Sequence, residues 1–89
     1  MMMDFPNPSR SFDATRNCVC FWGYDKSIEV SFYLDVCALQ KLSRGGSELE
    51  ADYLAAFDTA SNQIHKVAAR IHGKRGGSVY SHKLTEDDF

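Results

Sequence analysis

The sequence predicts an α+β fold, a small antiparallel sheet in β-β-α-α-β order with one short and one long helix packed on one face. Two patterns carry this prediction. Between residues 18 and 34, apolar side chains alternate on both sides of a turn, and between 47 and 72 they recur at helical spacing. A weaker alternation over 78–84 supplies a third strand.

Length and composition set the frame. Eighty-nine residues, 44% of them hydrophobic and 25% charged, suit one folded domain spanning 1–89. A domain of this size buries about 60–65% of its unfolded surface, so self-association is a common way to widen its stability margin. The opening Met1-Met2-Met3-Asp4-Phe5-Pro6 lacks the basic and apolar regions of a secretory signal. No stretch approaches the roughly 18 apolar residues of a membrane helix. With three cysteines, an odd number, reduced thiols and a cytoplasmic location are the expectation.

Residues 1–17 read as an extended lead-in. Pro6 and Pro8 break regular structure, Asn7, Ser9, Ser11, Asp13 and Asn17 favour turns, and Phe5 and Phe12 can pin the segment to the body. Residues 18–34 read as a hairpin. A turn at Asp25-Lys26 sets Phe21 opposite Val30 and Val19 opposite Phe32 on one side of the sheet. Cys18 then faces Tyr33, Cys20 faces Ser31 and Trp22 faces Glu29 on the other. A slip of one residue would mix the two sets, so the pattern selects its own register.

Asp35 reads as the N-cap of a short helix over 36–43, with Leu34 and Leu39 at the two positions of a hydrophobic staple and Gly45-Gly46 as its end. The long helix over 47–72 opens with Ser47 and Glu50 as a capping box. It carries a stripe of Tyr53, Leu54, Phe57, Ile64, Val67, Ala68 and Ile71, and Gly73 is placed to end it. Lys74 to Gly77 reads as a basic loop. In the strand over 78–84, Tyr80, His82 and Leu84 share one side, and the tail folds into a turn that tucks Phe89 against the core.

The residues Phe5-Pro6, Ser11-Phe12-Asp13, Phe21-Trp22-Gly23-x-Asp25, Glu29-Val30-x-Phe32, Ala38-Leu39, Phe57-Asp58 and Asp88-Phe89 resemble one family. It is a group of small bacterial proteins known as domain of unknown function 1488. The resemblance covers nearly the whole chain and implies a compact α+β fold in a bacterial cytoplasm. It implies no activity and brings no catalytic or binding residues with it.

The chemistry legible in single residues is sparse. Cys18-x-Cys20 lacks both the spacing and the second ligand pair of common zinc sites, and redox pairs are spaced Cys-x-x-Cys. His65 and His72 stand two helical turns apart, about 10 Å along the axis, too far for one ion. No nucleophile elbow or phosphate cradle is present. The expectation is a non-catalytic module with no metal and no cofactor.

Two binding surfaces remain. Cys18, Cys20, Trp22, Glu29 and Tyr33 on the outer sheet face form a candidate interface for a second copy or another protein, unless Phe5 or Phe12 folds over them. The alternative is a nucleic-acid contact through Lys66, Arg70, Lys74 and Arg75. Residues 59–85 hold five basic residues and no acid, although a helix dipole alone favours bases at Lys66 and Arg70.

Overall fold

The computed structural model describes residues 3–5, 10–42, 50–74 and 80–89. It is an α+β fold: a five-stranded mixed sheet, three helices and a terminal 3₁₀ turn. The strands are β1 (Met3–Asp4), β2 (Arg10–Asp13), β3 (Cys18–Asp25), β4 (Ile28–Asp35) and β5 (Ser81–Leu84). The helices are α1 (Val36–Leu42), α2 (Glu50–Thr59) and α3 (Ser61–Lys74), and Glu86–Asp88 form the 3₁₀ turn.

The β3–β4 hairpin is the centre of the sheet. Its turn is one step later than expected. Asp25 pairs with Ile28 across Lys26-Ser27, and Lys26 takes φ 60°, the positive value that a tight two-residue turn demands of its first central residue. Every pairing therefore shifts by two, so that Phe21 faces Phe32, Val19 faces Leu34 and Trp22 faces Ser31. A shift of two preserves which side each residue occupies, so alternation cannot distinguish the two registers. The observed one stacks the Phe21 and Phe32 rings with centroids 5.1 Å apart.

The lead-in is more ordered than a turn-rich segment. It runs antiparallel along β3 in two pieces, β2 against Cys18–Phe21 and β1 against Tyr24–Asp25. The β2–β3 turn is built locally. The Asp13 carboxylate accepts the N–H groups of Thr15 and Arg16, and Asn17 supplies φ 53°, which asparagine tolerates well. At the opposite edge, β5 lies parallel to β4, with Ser31 opposite Ser81 and Leu34 opposite Leu84. The sheet is thus mixed rather than wholly antiparallel, because the connection from β4 to β5 is a helical crossover, which can return a strand in the same direction.

The Asp35 carboxylate accepts the Cys37 N–H, as an N-cap does, and Leu34 and Leu39 are both buried. The end of this helix at Gly45-Gly46 and the Ser47 half of the capping box lie outside the described residues, as do Pro6, Pro8, Arg75 and the loop glycines. The long helix is two helices. α2 ends at Thr59, whose hydroxyl donates to the Ala55 carbonyl at 3.0 Å, and α3 starts two residues later. Gly73 lies inside α3 rather than beyond its end.

The expected stripe forms the core. Tyr53, Phe57, Ile64, Val67, Ala68 and Ile71 are buried against Val19, Phe21, Val30, Phe32 and Leu34, and Leu54 packs at the margin. Phe89 also packs there. Its turn is held by Lys41, which donates to the Glu86 and Phe89 carbonyls, and by Arg70, which donates to the Asp88 carbonyl.

Candidate functional site

Parity divides the sheet into two unlike faces. The inner face holds Val19, Phe21, Val30, Phe32, Leu34 and Leu84 under the helices. The outer face holds Cys18, Cys20, Trp22 and Tyr24 on β3, Glu29, Ser31 and Tyr33 on β4, and Ser81 and Lys83 on β5. Trp22, Tyr24 and Tyr33 are half-buried, and among the described residues none of them belongs to the hydrophobic core.

Phe5 and Phe12 both turn to the helix side. Phe5 lies flat on His65, with ring centroids 4.2 Å apart, and Phe12 stacks on Tyr53 at 5.4 Å. Gly23 makes the first contact possible. A Cβ there would stand 2.6 Å from the Asp4 carbonyl and 2.7 Å from the Phe5 ring. Burial disfavours a charge on His65 and holds its pKa below the ordinary histidine value.

The sequence-predicted interface residues do share the outer face, with two adjustments. Glu29 stands opposite Tyr24 at the turn end, because of the shifted register. Cys18 is only 3% exposed. At that end Arg16 places its guanidinium 5.1 Å from the Tyr33 ring centroid, and a cavity of about 570 Å³ opens among Arg16, Cys18, Tyr33, Ser81 and Lys83. The Cys18 and Cys20 sulfurs stand 4.0 Å apart. Burial, aided by Cys20 and Asp13, pushes the Cys18 thiol up to about 11.

A polar cluster lies under the sheet where sequence spacing gave no hint of one. His72 is fully buried. Its Nε2 is 2.8 Å from the Asp25 carboxylate and its Nδ1 is 2.8 Å from Nε2 of His82. An ionised carboxylate only accepts, so His72 Nε2–H donates to Asp25, and in neutral His72 the other nitrogen accepts from His82 Nε2–H. The chain Asp25–His72–His82 thereby joins the hairpin tip, the end of α3 and β5. Sequence reasoning weighed His72 only against His65 on the same helix and found the two too far apart for one ion, whereas its partners come from residues 25 and 82. The parity of Asp25 with Phe21 is the signal that could have placed it on the inner face.

Of the basic residues of the alternative surface, Lys66, Arg70 and Lys74 lie among the described residues. Lys66 and Lys74 are exposed, while Arg70 is engaged with the C-terminal turn.

An α+β sheet with its described helices on one face, half-buried aromatic residues on the other and a histidine pair sealed beneath is the class of protein this fold defines. Residues 3–79 match the family described as protein of unknown function (DUF1488), and the chain belongs to that family. No curated protein and no solved structure was found to match it. Among the described residues no helix is long and apolar enough to cross a membrane.

Proposed function

We propose that the protein is a cytoplasmic, non-catalytic interaction module that pairs with a second copy of itself through the outer face of the sheet. The observation that carries this reading is the direction of Phe5 and Phe12. Both pack with the helices, so neither aromatic ring of the lead-in covers Trp22, Tyr24 or Tyr33. Half-buried aromatic residues on a sheet face are favourable contact surface.

Face-to-face pairing is favoured over pairing of edges. The edge strands are two to four residues long, and β5 carries an exposed lysine, both of which discourage strand addition. A two-fold contact also answers the charges. Lys83 lies toward the Tyr33 end and Glu29 toward the turn, so an antiparallel pair brings Lys83 of each copy toward Glu29 of the other. The buried histidines engage each other and Asp25, which favours an architectural role for them over a catalytic one.

Size exclusion with light scattering tests the proposal. The expected result is a dimer that Trp22→Glu splits. Glu29→Lys or Lys83→Glu alone weakens the dimer, and the two together restore it. A wild-type chain that stays monomeric at high concentration overturns it.

A further inference from the structure

Three metal-ligating groups converge on the outer face at the β2–β3 edge. Asp13 pairs directly across the strands with Cys18, and Cys20 follows on the same side of β3. One donor atom from each of Asp13, Cys18 and Cys20 lies within 4.8 Å of the other two. We propose that these three residues form a site for one borderline-soft divalent cation, Zn²⁺ by preference, with the fourth position left to water or an external donor.

The geometry fits that ion. Two Zn–S bonds of about 2.3 Å at a tetrahedral angle hold their sulfurs about 3.8 Å apart. The two thiols already stand at 4.0 Å, close to that spacing, while the carboxylate oxygen, within 4.8 Å of both sulfurs, closes on them to about 3.5 Å by side-chain rotation when the ion binds. The carboxylate is oriented in advance. Its Oδ1 accepts the Thr15 and Arg16 N–H groups, and Arg16 Nε stands 3.8 Å from Oδ2, loose enough to yield to a metal. Such outer hydrogen bonds characteristically fix a ligating carboxylate.

Binding converts two thiols to thiolates and releases two protons per ion. The Asp-and-two-Cys set leaves one tetrahedral position unfilled, the arrangement of zinc sites that take an exchangeable ligand. Cys18 also lines the cavity shared with Arg16, Tyr33, Ser81 and Lys83, and an anionic donor entering there would meet Arg16 and Lys83.

This pattern escapes a sequence scan. A cysteine pair with one intervening residue departs from the usual zinc spacing, and Asp13 reads as a turn former. The strand pairing is what brings the third donor.

Titration of the fully reduced protein with Cd²⁺, a spectroscopic substitute for Zn²⁺, tests the site. The expected result is a thiolate-to-metal charge-transfer band saturating at one ion per chain with the amplitude of two thiolates, and two protons released. Cys37→Ser leaves band and stoichiometry unchanged, Asp13→Asn weakens binding at least tenfold, and Cys20→Ser halves the band. Cys20 is only half-buried, so that variant keeps the test usable if the Cys18 variant does not fold. Absence of the band, loss of binding in Cys37→Ser, or undiminished binding in Cys20→Ser overturns the proposal.

Discussion

Replacing Asp25 with alanine removes the sole carboxylate from the Asp25–His72–His82 chain and leaves a donor in the interior. His72 is 0% exposed and the Asp25 side chain 13%, so water can replace the lost oxygen only in part. A buried donor left without its acceptor costs about 1–3 kcal/mol, and we take about 2 kcal/mol for this site. For 89 residues, an unfolding entropy of about 2.1 cal/mol/K per residue amounts to about 0.19 kcal/mol/K. The expected fall in Tm is therefore about 10 °C. Asp25→Asn keeps an oxygen acceptor at the same place and is expected to lose roughly half as much. Thermal and urea unfolding followed by circular dichroism at neutral pH measure both. A double-mutant cycle with His72→Phe isolates the contact and should return about 1 kcal/mol or more of coupling. A fall below about 2 °C in Asp25→Ala, or additivity of the two substitutions, would refute this account of the cluster.

Two further outcomes are expected. Gly23→Ala drives a methyl group into the Asp4 carbonyl and the Phe5 ring, and urea unfolding should register a loss of about 1–3 kcal/mol together with release of β1; unchanged stability would mean that the approach of β1 is not as close as described. His65 has a folded pKa below its unfolded value, so the unfolded chain binds more protons between the two. Its contribution is complete above the unfolded value, about 6.5, and falls away as pH drops through that value toward the folded one. Stability measured from pH 8 to pH 5 should decline less steeply in His65→Gln than in the wild type, and equal slopes count against the effect.

The hairpin, the apolar stripe and the terminal turn were legible in the sequence because each is governed by local periodicity or local chemistry. Val19, Phe21, Val30 and Phe32 reveal their face through alternation, and Tyr53 to Ile71 through helical recurrence. The register was not legible, since a shift of two leaves every residue on its own face. The division between α2 and α3 at Ala60 interrupts an apolar stripe that is itself continuous, so periodicity does not foretell it. The partners of His72 come from positions 47 residues before it and 10 after it, a juxtaposition that only the crossover creates. The outer face could be named because parity alone defines it, whereas the assembly of Asp13 with Cys18 and Cys20 required knowing that the lead-in returns as β2. The Phe21-Trp22-Gly23-x-Asp25 run acquires a reason at each step. One ring enters the core, one faces outward, a missing side chain admits Phe5, and a carboxylate meets His72.

The parallel placement of β5 has a kinetic consequence. Ser31 and Ser81 are neighbours in space but fifty positions apart in the chain, whereas the hairpin closes over two residues. The loop-closure entropy of the long connection must be overcome before any β4–β5 bond forms, while the hairpin meets almost none. The pairing of β5 is thus the most non-local of the strand pairings described. The amide protection of β5 relative to β3 is the natural gauge of how cooperatively the molecule holds together.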